Sequence, residues 1–257
     1  MDYEVPDSLI VARDGPVLVV TINRPDERNA LDEPTKEAFP RLWAQIDRDR
    51  EVRAVVLTGA GRTFSAGGSL DDFEPYRVDF ERRRQAMRDA RRLAQEMLQL
   101  RVPIVAAVNG PAVGLGCTLA SLCDIVFMAE RAYLADPHVT VALVAGDGGA
   151  ITWPFMTSML KVKQYLLTGD RVPAADAVAI GLANFAVPDD EVLPAATAFA
   201  HRLAALPPQA VQDTKLVLNQ HLMQAAAGVL PLGLATESQS HDTEEFRQVP
   251  ERLSRGG

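Results

Sequence analysis

Asn109-Gly110-Pro111-Ala112-Val113-Gly114-Leu115-Gly116-Cys117-Thr118-Leu119 is the stretch on which the reading of this chain turns. It follows Val102–Val108, an apolar run that reads as a buried strand, and it leads into Gly116–Leu122, which reads as a short helix. A glycine turn in that position leaves backbone N–H groups unpaired at the positive end of a helix, which favours negative charge. Glycine also lets a ligand approach the backbone closely. A second segment of the same kind lies upstream. Thr63-Phe64-Ser65-Ala66-Gly67-Gly68-Ser69-Leu70 follows the short apolar strand Ala54–Thr58 and also leads toward a helix. Two such turns facing each other would form a two-donor oxyanion hole. Tight packing explains either turn alone; the pair, in this order, is more specific.

Two rival motifs fail on their residues. Gly114-Leu115-Gly116 could begin a dinucleotide fingerprint, but the third glycine is replaced by Leu119, and the turn lies far from the N-terminal strand. Ser65 is flanked by Phe64 and Ala66, so no G-x-S-x-G nucleophile elbow is present.

Outward from these turns the chain alternates strands and helices, which places its first two-thirds in the α/β class. Leu9–Arg13 and Val17–Ile22 read as strands joined at Asp14-Gly15-Pro16. Asp32 is the expected N-cap of a helix running toward Asp49, with Pro40 expected to kink or interrupt it. Arg77–Leu100 reads as one helix whose arginines form a mostly solvated face, and Asp124–Ala129 reads as a strand. From Ala174 the chain turns helical. Ala174–Ile180 stops at Gly181, Leu193–Leu206 carries apolar residues at 193, 196, 200 and 203, and Pro207-Pro208 opens a helix with Val211, Leu218 and Leu222 on one side. The expected division is a core over residues 1–190 and a helical oligomerisation region over 191–257. Packing against a partner subunit and an intramolecular lid both suit this tail.

The 257 residues are 47% hydrophobic and 23% charged, enough for a full core, and the formal net charge of −8 argues against nucleic acid as a partner. Coenzyme A remains compatible, since a few arginines and helix N-termini can hold it. Cys117 and Cys123, six residues apart without a neighbouring histidine, read as small buried hydrophobes in a reducing compartment. Met1–Ser8 carries no apolar run, and no apolar stretch approaches the roughly 20 residues of a membrane span. A cytoplasmic protein that crosses no membrane is expected.

A family resemblance rests on a series of motifs in register from about residue 10 to 190. Asn23-Arg24-Pro25, Asn29-Ala30-Leu31, Val55-Val56-Leu57-Thr58-Gly59, Phe64-Ser65-Ala66-Gly67-Gly68, Ala107 through Gly114, and Cys123-Asp124-Ile125 resemble those of the crotonase (enoyl-CoA hydratase/isomerase) superfamily. The resemblance implies a ββα spiral core with a helical C-terminal region, assembled as a homotrimer or dimer of trimers. It implies an acyl-CoA thioester as substrate, with CoA part of the substrate rather than a cofactor, and no metal. The oxyanion-hole amides would come from Gly68 and Leu115. Arg28, Ala30, Ala66, Gly67, Ser69, Leu70, Gly114 and Thr118 would contact substrate or CoA, and Phe246 matches a position near the neighbouring subunit's CoA site.

The catalytic positions depart from the family pattern. Hydratases of this family use two glutamates, and the matching residues are Thr118 and His138. Threonine is no base near neutral pH, so Thr118 is expected to matter little. Asp147, within Gly146-Asp147-Gly148-Gly149, is the acidic candidate nine residues after His138. Asp147 also suits a plain turn, and a histidine after proline can be structural. Functionally, His138 and Asp147 would move protons, with His138 tuned for general-base work. His201, His221 and His241 match no motif and read as surface or interface residues. The leading expectation is an acyl-CoA enzyme that stabilises a thioester enolate, isomerisation being easier to picture than hydration. The His…Gly-Asp-Gly pairing also resembles the superfamily's β-diketone hydrolases, and a binding protein without turnover stays open.

Overall fold

The structure, a computed structural model, describes residues 3–249. β1 (Leu9–Asp14) and β2 (Val17–Ile22) form an antiparallel hairpin. β3 (Ala54–Gly59), β4 (Ile104–Val108), β6 (Ile125–Ala129) and β9 (Phe185–Val187) then add in parallel, giving a six-stranded sheet in the order β1-β2-β3-β4-β6-β9. β5 (Ala112–Val113), β7 (Tyr133–Ala135) and β8 (Val172–Pro173) form a second, small sheet. Every residue of β3 and β4 is buried, as expected of parallel strands covered on both faces.

The helices are α1 (Glu33–Arg48), α2 (Phe73–Val78), α3 (Phe80–Gln99), α4 (Leu115–Ser121), α5 (Gly148–Met156) and α6 (Met159–Thr168). Beyond them come α7 (Ala174–Ile180), α8 (Val192–Ala204), α9 (Pro208–Ser240) and α10 (Glu244–Arg247). Mixed ββα sheets with a helical C-terminal region make this the crotonase fold. α8 lies across β2, β3, β4 and β6, while α9 packs on α3 and α5.

Several local expectations change. Asp32 caps α1 through the Thr35 amide at 3.0 Å, but the helix runs unbroken through Pro40. An interior proline costs about 3 kcal/mol; burying Phe39, Leu42, Trp43 and Ile46 contributes about 1.5–3 kcal/mol each and outweighs it. The long arginine-rich helix is two helices. Asp79 leaves helical geometry (φ −114°, ψ 100°) and its carboxylate caps α3 by accepting from Arg82 N at 3.0 Å. The arginine row of α3 is mostly solvated, as expected, but Arg83 is buried and donates to both Asp242 carboxylate oxygens at 3.0 Å. In the tail, Ala196, Ala200 and Ala204 form the buried row of α8, whereas Leu193 is exposed. On α9 the row that is covered is Ala226, Leu230 and Leu234, and Leu218 faces outward. The inner face of the tail is therefore covered by its own chain.

Candidate active site

Adjacent parallel strands end side by side, so β3 and β4 release the two glycine turns next to each other. The turns touch. Val113 N donates to Ser65 O at 2.9 Å, and Ser65 and Ala112 form an isolated parallel bridge. Gly67, at φ +92°, comes so close that a Cβ would lie 2.6 Å from Val113 O; a Cβ on Gly116 would lie 2.6 Å from Ser65 O. Only glycine permits either approach. Leu31 N bonds Gly67 O at 2.7 Å and Ser69 N bonds Leu31 O at 3.2 Å, which brackets Gly68 and turns its own amide away from the backbone ladder. The N–H groups of Gly68 and Leu115 find no acceptor among the described residues.

Both residues line a cavity of about 440 Å³. Ala66, Gly67, Ser69, Leu70, Gly114, His138 and Asp147 line it too. Arg28, Ala30, Thr118 and Phe246 do not. Arg28 has φ +54° and its carbonyl accepts from Ala66 N at 2.9 Å, while buried Asn29 donates to Ala60 O and Thr63 O at 2.9 and 2.7 Å. The Arg28–Ala30 motif therefore holds the first turn in shape. Phe246 is buried within its own chain against Phe73 and His241, ring centroids 5.2 and 4.6 Å away, behind the cavity wall.

The glycines around Asp147 serve close packing, not positive φ. Asp147 itself has φ −94°, so an aspartate placed for left-handed geometry is not what the structure contains. A Cβ on Gly148 would lie 2.2 Å from Thr118 Cγ2, and one on Gly149 would lie 2.6 Å from Asp136 Oδ2. Those contacts seat Asp147 at the N-terminus of α5, where its Oδ2 accepts from Thr118 Oγ1 at 3.0 Å. Thr118, expected to matter little, thus bonds directly to the acid. Asp147 Oδ1 is buried without a partner. Burial raises the Asp147 pKa, with His138 pulling it the other way.

His138 occupies a single 3₁₀ turn, and its Nδ1 makes a short contact with Asp136 Oδ1 rather than with Asp147. Burial alone would lower the imidazole pKa, but the charges of Asp136 and Asp147 outweigh it and hold it well above its ordinary value. The shift favours the imidazolium form, in which His138 is a charge partner for the carboxylates; the sequence reading gives it general-base work. Asp136, His138 and Asp147 offer ligand atoms all within 4.8 Å of one another, a grouping that a metal ion could also use.

Two cavity residues escape the sequence motifs. Glu237 and His241, both on or just after α9, line the same space and are both buried. Glu237 Oε2 has no hydrogen-bond partner; burial, its main perturbation, pushes its pKa up to about 8. His241 is likewise no surface residue, and burial lowers its pKa. The available signal was helical spacing, since 230, 234, 237 and 241 continue the buried row of α9. At the mouth, Lys36 Nζ bonds Asp72 at 2.7 Å and Tyr76 OH at 3.0 Å, and Arg82 pairs with Glu33 at 2.7 Å. The basic groups at this opening already have acidic partners.

Comparison with known proteins identifies the family. The enoyl-CoA hydratase/isomerase family profile matches residues 12–252. The short-chain-enoyl-CoA hydratase of Clostridium acetobutylicum is 33% identical over 215 residues, covering 83% of this chain and 82% of that protein. The 2,3-dehydroadipyl-CoA hydratase of Escherichia coli is 32% identical, covering 90% and 88%. The crystal structure of an enoyl-CoA hydratase/isomerase from Mycobacterium paratuberculosis superposes with a TM-score of 0.94 at 47% identity, covering 98% of this chain and 100% of that one.

Proposed function

We propose, from the premise that this chain belongs to the enoyl-CoA hydratase/isomerase family, that it converts an acyl-CoA thioester through an enolate with an unusual set of acid and base groups. The observation that carries the reading is the placement of two unpaired amides, Gly68 and Leu115, on the same cavity as the unpaired carboxylate oxygen of Asp147. In this reading the thioester oxygen lies between those amides, which stabilise negative charge more in the enolate than in the ground state. Asp147 takes the proton. The Asp136-bound imidazolium of His138 keeps a second carboxylate tolerable beside it. Proton removal at one carbon and return at another, an isomerisation, needs no water-activating group. Addition of water would need another group to activate it.

A second reading keeps the scaffold: hydrolysis of a C–C bond in a β-diketone. It is favoured by the cavity mouth, where Lys36 and Arg82 are engaged by Asp72 and Glu33 instead of being left for CoA phosphates. The two readings separate in one assay, a panel of enoyl-CoA thioesters and β-diketones given to the wild type and to Asp147→Asn. We expect turnover on a thioester, a loss of about 10²–10⁴-fold in Asp147→Asn, and thioester affinity nearly unchanged. Equal rates for the two proteins on the best substrate would reduce Asp147 to a structural residue. A cytosolic homotrimer or dimer of trimers belongs to the same proposal, supported by exposed Phe155, Leu160, Leu167 and Leu232 on α5, α6 and α9.

A further inference from the structure

α9 crosses the loop before α5 at two glycines. A Cβ on Gly146 would lie 2.3 Å from Gly233 O, and one on Gly233 would lie 2.2 Å from Gly146 O. Backbone meets backbone there, and only hydrogen fits as a side chain. Asp147 follows Gly146 directly, and Glu237 stands one helical turn beyond Gly233, on the same face of α9. The crossing therefore delivers a second carboxyl to the cavity that holds Asp147, His138 and the Leu115 amide. That carboxyl is more than nine-tenths buried, and its Oε2 has no partner. A buried carboxylate retained for structure is paired, because an unpaired one costs several kcal/mol of desolvation. Glu237 instead has one oxygen left free in the space where substrate would lie.

We infer that Glu237 is a catalytic proton donor, supplied by the C-terminal helix to the enolate carbon. The inference rests on the enolate reading above. Asp147 breaks a C–H bond of the substrate, and the electron pair moves into the π system with its charge on the thioester oxygen. The enolate pair then forms a new C–H bond with the Glu237 proton, and the O–H electrons stay behind on the carboxylate. Asp147 ends protonated and Glu237 ionised. A proton passing back from Asp147 to Glu237 resets the site, with no oxidant or co-reactant consumed.

The surroundings suit a neutral acid. Burial raises the pKa of Glu237, Asp147 and Asp136 raise it further, and only His138 opposes them, which leaves it at about 8. His241, one turn further along, is held neutral by burial and places its Nδ1 3.1 Å from the Glu237 carbonyl oxygen. The donor form is therefore present below about 8 and lost as pH rises through that value.

The test uses the full-length protein, with Glu237→Gln and Glu237→Asp, and an enoyl-CoA thioester in D₂O. We expect Glu237→Gln to lose about 10²–10⁴-fold in turnover. It should still exchange substrate hydrogen for deuterium, since Asp147 remains. Glu237→Asp should recover part of the rate, and the alkaline fall in wild-type turnover near pH 8 should vanish in Glu237→Gln. Turnover of Glu237→Gln within about twofold of wild type, or joint loss of exchange and turnover with binding intact, would overturn the donor role alone. A wild type that exchanges no thioester hydrogen overturns the enolate reading and the donor role together. Should Glu237→Gln fail to fold, Glu237→Asp decides by itself: an unaltered rate and pH profile sinks the proposal.

Discussion

The two ends of α9 each carry one buried ionisable side chain, and they are treated in opposite ways. Near the N-terminal end, Lys215 Nζ bonds Val102 O at 2.9 Å and Asp124 Oδ2 at 2.9 Å, and Asp124 in turn accepts from Ile104 N at 2.7 Å. Each charged group there has a partner, and the set ties α9 to the start of β4 and β6. Twenty-two residues later, about 33 Å along the helix axis, Glu237 reaches the cavity with one oxygen free. Burial is nearly equal at the two sites, so burial does not mark the functional one. The marker is what the charge has been given to hold. A fully partnered buried ion fixes a helix in place, while an unpartnered one keeps bonding capacity for something that arrives.

This contrast breaks most easily at Lys215. Lys215→Met should leave half-buried Asp124 without its cation and lower stability by about 2–3 kcal/mol, with turnover per folded molecule unchanged. Denaturant unfolding beside active-site titration checks it. A loss of activity without loss of stability would move Lys215 into the chemistry and erase the distinction.

Thr118→Val sharpens the other side. It keeps the volume against Gly148 but removes the 3.0 Å hydrogen bond to Asp147, so turnover should fall about tenfold, roughly the 1.4 kcal/mol of one bond to a charged group. The rate-limiting acid pKa should rise, because that bond favours the ionised form. An unchanged pH profile would show that Asp147 is held by its glycine contacts alone.

The remaining effect is thermal. Glu237 has a raised pKa, so between the ordinary carboxylate value and about 8 the folded protein keeps a proton that the unfolded chain releases. Stability falls as pH rises across that window. Asp147, also raised, acts in the same direction. The raised His138 contributes stability that is complete below its ordinary value and is lost as pH climbs through its folded value. The melting temperature should drop by roughly ten degrees from about pH 5 to about pH 8.5, and Glu237→Gln should flatten the slope. A parallel decline in the variant would mean that Glu237 is already ionised in the native protein.

Legibility differs along the same line. The glycine turns could be read because their information is local: a strand, a turn that tolerates close approach, and a helix follow one another within a dozen residues. Asp147 was legible for the same reason, although its glycines answer to Thr118, Asp136 and Gly233 and not to its own torsion angles. His138 was visible in the sequence, but the partner that sets its charge was not: Asp136, two residues away, turns toward it only in the folded chain. Glu237 and His241 were passed over. A glutamate in a helix is ordinary, and nothing in Thr236-Glu237-Ser238 separates a solvated residue from one facing a cavity. The alanine row of α8 and the cap at Asp32 were plain, whereas the break at Asp79 and the burial of Arg83 depend on where Asp242 lands.

By itself the sequence determined the α/β class, the family, the two turns and one of the acids, since each is written in residues close together or in a recurring period. Tertiary structure alone decided which acids share the cavity. Gly146 and Gly233 are 87 residues apart, and only their backbone contact puts Glu237 beside Asp147. The pKa of each group then follows from charges and burial that exist in no local window, because electrostatic energy depends on distance through space and not on separation along the chain.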